Sequence, residues 1–133
     1  MKMTLGSGSL PQVISSPSQF SLSVTLRHLS NPSISALLDS GATDSFITSS
    51  LLNSLGIPVT TLSTPHEVRL ADGSTTSLIY RECYITLDIP RFPTFDHWFF
   101  DIELPSECPM ILGHDFLFKH NPDIDWIQNT IAP

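Results

Sequence analysis

Positive charge is scarce in this chain: six lysines and arginines stand against thirteen aspartates and glutamates, for a formal charge of −7. A protein that grips nucleic acid through its phosphates needs the opposite balance, so no nucleic-acid partner is expected. Eight of the acids lie from Asp88 onward, with only Arg91 and Lys119 to balance them. That excess reads as a solubilising surface, or as a preference for neutral or basic peptides. Cysteine is nearly absent. Cys83 and Cys108 have no metal-type spacing and are too few for a disulfide scaffold, so free, buried or half-buried thiols in a reducing compartment are expected. Long apolar runs are missing too, which predicts no membrane span, and the amino terminus lacks the apolar stretch of a signal peptide. A cytoplasmic protein is the resulting expectation.

Chemical motifs are equally sparse. The histidines at 28, 66, 97, 114 and 120 show no metal-ligand spacing, there is no Gly-x-Ser-x-Gly elbow, and no glycine-rich loop could cradle a phosphate. No metal and no cofactor are therefore expected.

What the chain does have is proline and short alternating stretches. Eleven prolines in 133 residues, with only brief apolar runs, predict one domain of the all-β class carrying one or two short helices. Residues 1–18 are rich in Ser, Gly and Pro and read as a flexible linker or polyprotein-junction tail, which leaves 19–133 as the folded domain. Phe20, Leu22, Val24 and Leu26 alternate as a strand; Ser30-Asn31-Pro32 turns the chain into a second strand, with Ile34, Ala36 and Leu38 on one face. Leu51, Leu52 and Leu55 fit a short helix, with Thr48 as N-cap and Gly56 as its stop. Asp72-Gly73 marks a tight hairpin between Glu67–Ala71 and Ser74–Tyr80. Strands follow at Tyr84–Ile89 and Thr94–Leu104, the latter rich in aromatics that read as sheet packing rather than a platform for bases. Met110–Gly113 predicts another strand, Asp115–His120 a short helical segment with Asp115 as its N-cap, and Ile124–Ile131 a last strand.

The focus of the chain is Asp39-Ser40-Gly41. An apolar strand delivers an acid to the edge of a core, a hydroxyl can fix the turn, and a glycine allows a sharp bend and close approach. Such a tripeptide is also ordinary turn chemistry. It gains meaning from a second apolar strand that ends in glycine, Ile111-Leu112-Gly113-His114-Asp115-Phe116-Leu117.

Together, Leu37-Leu38-Asp39-Ser40-Gly41-Ala42-Thr43, the following Phe46-Ile47, the Ile111–Leu117 segment and the trailing His120-Asn121-Pro122-Asp123-Ile124-Asp125-Trp126 resemble the retroviral-type aspartic proteases. The likeness is greatest to those of gypsy-type long-terminal-repeat retrotransposons and genes domesticated from them, and it spans roughly residues 20 to 132. The resemblance implies a retropepsin-like half-barrel, one lobe per chain, acting as an aspartic endopeptidase on a peptide or polyprotein substrate, in the cytoplasm or within virus-like particles. Asp39 would be catalytic, supported by Ser40 and Gly41, with Ser40 bonding across the symmetry axis. Ala42, Thr43 and Asp44 would hold substrate main chain, the hairpin tip at Ala71, Asp72 and Gly73 would close over it as a flap, and Ile111 would line a subsite. Peptide hydrolysis by carboxylates needs a base and an acid, and one lobe supplies one Asp-Ser-Gly, so a C2 homodimer completes the pair.

Four positions depart from the retroviral pattern. Ser40 stands where threonine is common and Thr43 where aspartate is common. His114 replaces the usual basic residue, which allows a plain hydrogen bond to Thr43, and the hairpin tip is not glycine-dense. An interaction or dimerisation module with weak or no catalysis is the alternative from another class, and an unrelated small β-domain a third.

Overall fold

The structure is a computed structural model that describes residues 20–69 and 76–133. The expected linker over 1–18 and the hairpin tip at Ala71, Asp72 and Gly73 lie outside the described residues. The elements are β1 Phe20–Leu26, β2 Ser33–Leu38, β3 Phe46–Ile47, α1 Ser49–Leu55, β4 Thr60–Arg69, β5 Thr76–Asp88, β6 Phe95–Asp101, β7 Met110–Leu112, α2 His114–His120, β8 Asp123–Asp125 and β9 Thr130–Ala132. The chain is thus all-β with two short helices.

Seven strands form one sheet in the order β1-β2-β7-β3-β6-β5-β4, and β1 also pairs with β5 through Thr25↔Asp88 and Leu26↔Leu87. That second pairing closes β1, β2, β7, β3, β6 and β5 into a ring and leaves β4 as an extension. That pairing covers the outer edge of β1 at Thr25 and Leu26, where it would otherwise be open to pairing with other chains. β1 and β2 make the expected hairpin, from Phe20↔Leu38 to Thr25↔Ser33. Its turn uses Leu29 and Asn31 at positive φ, the latter a residue type that tolerates that region.

Alternation sends side chains to two separate cores. Inside the ring, Leu22, Val24, Ala36, Leu38, Ile85, Leu87, Phe99, Met110, Leu112 and Phe116 are buried together. On the opposite face, Leu37, Phe46 and Ile111 pack with Val68 of β4 and Ile79 of β5. One sheet therefore has two dry faces, the second roofed in part by the β4–β5 hairpin.

Three expectations are corrected. Thr48 occupies the N-cap position of α1, but its side chain does not cap. Its hydroxyl donates to Glu103 Oε1 at 2.9 Å and accepts the Leu104 N–H at 3.0 Å, while Glu103 Oε1 also accepts the Ser50 N–H at 3.2 Å. The capping acceptor thus comes from a distant segment. Gly56 ends α1 as expected, at φ 67°. The N-cap of α2 is Gly113 rather than Asp115, which sits inside the first turn with its carboxylate committed elsewhere. Finally, Ile124–Ile131 is not one strand: the Asp125 carboxylate accepts the N–H groups of Ile127 and Gln128, both at 3.0 Å, and this local turn folds the segment into the β8–β9 hairpin.

Candidate active site

β2 and β7 run parallel, with Ala36↔Met110, Leu37↔Ile111 and Leu38↔Leu112 in register. That register brings the end of one strand, Asp39, beside the end of the other, Gly113, and the Asp39 N–H continues the ladder to Leu112 O at 3.0 Å. The turn then closes on the acid. The Gly41 N–H donates to Asp39 Oδ1 at 2.8 Å and the Ala42 N–H to Asp39 O at 3.2 Å. Asp39 is only 2% exposed and Ser40 6%, so the carboxylate is fixed within the wall rather than free in solvent.

The loop from Asp39 to Ser45 is pressed against the start of α2. The His114 N–H donates to Ala42 O at 2.7 Å, and Gly113 lies so close that a Cβ there would come within 2.7 Å of Ala42 O and nearer still to Asp44 O. Only glycine fits. This is the packing reason for the second glycine of the sequence pattern.

A buried polar cluster anchors the far end of the loop. Ser45 Oγ donates to Asp115 Oδ1 at 2.7 Å, lies 3.1 Å from His97 Nε2, and accepts the Gly113 N–H at 3.1 Å; His97 Nε2 is 3.0 Å from Asp115 Oδ2. The same imidazole nitrogen meets both partners, so this is no nucleophile–base–acid relay, in which the two ring nitrogens have different partners. It ties the loop, β6 and α2 together. Residue patterns alone singled out neither Ser45 nor His97 as site residues. His97 falls on the inward side of β6 with Phe99, and a lone polar side chain on a buried face was the available signal.

Thr43 is exposed and donates to Asp44 Oδ2 at 3.1 Å, so its hydroxyl turns to its neighbour rather than to His114. Asp44 also lies 3.4 Å from His66 Nε2, and the His66 ring stacks on Phe100 at 4.3 Å. Ile111 is fully buried in the second core. The structure thus gathers Asp39, Ser40, Gly41, Ala42, Thr43 and Asp44 in one loop, with Ile111 on the neighbouring strand.

Both cysteines are free and buried. Burial, reinforced by Asp101 and Glu82, pushes the Cys83 thiol up to about 12; burial, then Glu107 and Asp39, pushes Cys108 up to about 11. Neither is poised as a nucleophile. Among the described residues no cluster of three or more His, Cys, Asp or Glu side chains could hold a metal ion, and no helix is long and apolar enough to cross a membrane.

A family model described as the PEG10/RTL1 protease domain matches residues 35–133. No curated protein sequence matches the chain. Among solved structures, the retroviral protease-like domain of Ddi1 from Leishmania major is similar, with a TM-score of 0.62 and 17% identity over 90% of this chain and 94% of that one. Lpg0085 from Legionella pneumophila, a protein of unknown function, is similar with a TM-score of 0.51 and 15% identity over 80% and 90% of the two chains. At such identities these two likenesses concern the fold alone. The fold is retropepsin-like.

Proposed function

Because this chain belongs to the PEG10/RTL1 protease-domain family, we propose that it is an aspartic endopeptidase that works as a homodimer and cleaves peptide bonds, those of a polyprotein above all. The observation that carries the proposal is the Asp39 carboxylate, held by the Gly41 N–H at the end of β2 in a domain with a single such turn. Packing gives no reason for an ionisable group at a 2% exposed position.

Two copies related by a twofold axis would bring their Asp39 side chains together. Carboxylates about 3 Å apart cannot both ionise, so they hold one proton between them, as is general for aspartic-protease dyads. The ionised Asp39 takes a proton from water as its oxygen attacks the scissile carbonyl carbon. The protonated Asp39 gives its proton to the carbonyl oxygen. Collapse of the tetrahedral diol breaks the C–N bond, and the departing nitrogen takes a proton, which leaves a carboxyl group and an amine. Main-chain groups of Ala42, Thr43 and Asp44 hold the peptide, and the β4–β5 hairpin serves as the flap. Ile111 lines a subsite once that hairpin lifts from the second core. The free cysteines support a cytoplasmic setting, within assembled particles included.

The test is a degenerate peptide library incubated with wild-type chain and with Asp39→Asn. Asparagine keeps an acceptor oxygen for the Gly41 N–H, so the variant folds with an unchanged melting temperature while cleavage falls by roughly 10²- to 10⁴-fold. Cuts that persist in the variant at the wild-type rate reject the assignment. A well-folded wild-type dimer that cuts nothing supports the dimerisation module instead.

A further inference from the structure

Beside the loop that carries Asp39, the outer face of β5 and β6 holds a depression bounded by Asp44, Ser45, Glu82, Trp98, Phe100 and Asp115. Its volume is about 90 Å³. That is below the roughly 300–1,000 Å³ of sites for whole small molecules and suits one long side chain.

The sheet register explains the composition of its walls. On β5, Cys83, Ile85 and Leu87 point into the ring, so Glu82 and Tyr84 point out; on β6, His97 and Phe99 point in, so Trp98 and Phe100 point out. The pairs Glu82↔Phe100 and Tyr84↔Trp98 then set acid and aromatics side by side. Trp98 is 49% exposed and leans on Tyr84 at 4.8 Å, which leaves a large aromatic surface in solvent next to three carboxylates. No lysine or arginine among the described residues contacts those carboxylates. Arg81 is next to Glu82 in sequence, yet it points to the other face and pairs with Asp101 at 2.8 Å. Asp44 and Asp115 are already engaged within the protein, Asp44 by Thr43 with His66 3.4 Å away and Asp115 by Ser45 and His97, whereas the Glu82 carboxylate has no hydrogen-bond or ion-pair partner among the described residues.

We propose that this depression is a subsite for a basic side chain, arginine before lysine, of the peptide bound along residues 42–44. A guanidinium can lie flat on the Trp98 indole and offer its N–H fork to Glu82, in the negative field of Asp44 and Asp115. Its planar, weakly hydrated group is better suited than an ammonium to an aromatic wall. The site lies at Asp44, some way along the loop from Asp39, so it reads a residue flanking the scissile bond rather than one at it. The inference deepens the protease reading above and rests on it for the nature of the ligand.

The experiment uses the full chain and matched peptides found from the library, with arginine, lysine or its neutral isostere citrulline at each flanking position. At one position arginine is expected to raise kcat/KM roughly tenfold over citrulline, as one charge pair with a cation–π contact would. Glu82→Gln and Trp98→Ala should each bring that ratio towards one, and added salt should shrink it. Cleavage with no basic preference, or a preference that survives both variants, overturns the subsite and leaves the protease reading standing. If wild-type chain cuts nothing, that reading falls on its own, and the subsite is judged by N-acetylarginine amide. Its addition should move the Trp98 indole N–H resonance where N-acetylcitrulline amide does not; equal responses to the two overturn the inference.

Discussion

A single methyl group is the smallest change that would disturb the site, and Gly113 is where it would act. A Cβ there runs into the carbonyls of Ala42 and Asp44, which are backbone atoms and cannot swing aside as a side chain could. Gly113→Ala should therefore cost about 2 kcal/mol or more, at or above the middle of the usual overpacking range. Urea denaturation reads this directly, and a variant as stable as wild type would mean that the loop is not pressed on α2 as described. The thiols give a second prediction at this scale. With Cys83 raised to about 12 and Cys108 to about 11, the thiolate fraction at pH 8 is on the order of 10⁻⁴ and 10⁻³. Iodoacetamide at that pH should leave both unmodified in the native chain and label both in denaturant. Asp39, Ser40 and Gly41 were legible in the sequence because their geometry is local: the Gly41 N–H meets a carboxylate two residues back. The Ser45–His97–Asp115 cluster was not, because its partners lie 52 and 70 positions from Ser45 and meet only through sheet register.

Among the elements, α2 carries a pH-sensitive end. His120 closes the helix among Phe92, Phe95 and Phe116, with ring centroids 5.6, 4.6 and 5.0 Å away. Burial first, then the nearby Lys119 and His97, holds its pKa below the ordinary value of 6.5. The unfolded chain therefore binds a proton more readily than the folded one, and stability falls as pH drops through 6.5 towards the folded value. Below that value both states are protonated and the loss levels off. Melting temperatures of wild type and His120→Phe across pH 5 to 8 should differ in slope within this window and run parallel above it. Asp88 acts in a separate, more acidic range. Hydrogen bonds from Thr94 and then Arg27 hold it below 3.8, so its contribution is present above that value and disappears as pH falls through the lowered one. Element ends divided into legible and illegible for similar reasons. The stop of α1 at Gly56 was plain because a left-handed glycine is a local signal, while its start depends on Glu103 from another part of the chain. The break between β8 and β9 hinged on Asp125 bonding forward along its own backbone, where the sequence predicts one strand over Ile124–Ile131.

At the scale of the molecule, the ring closed by β1 and β5 was beyond sequence reasoning, since two paired positions at the strand ends decide it. The all-β class was readable from strand spacing, and the single lobe was what the family resemblance implied. That lobe predicts concentration-dependent activity. Each chain carries −7, so association of two copies works against their mutual repulsion and should tighten as salt rises to about 0.15 M. Cleavage per chain should fall on dilution in step with the dimer fraction seen by sedimentation. Activity that stays proportional to chain concentration through the point where only monomer sediments would defeat the shared-site chemistry.

The second core bears on the thermodynamics of ligand capture. Leu37, Phe46 and Ile111 are dry without any peptide because Val68 and Ile79 already shelter them. A peptide that settles on this floor trades one oily contact for another and sheds little structured water there. Calorimetry should then record a binding heat capacity much less negative than the contact area suggests, because that quantity follows water released from apolar surface.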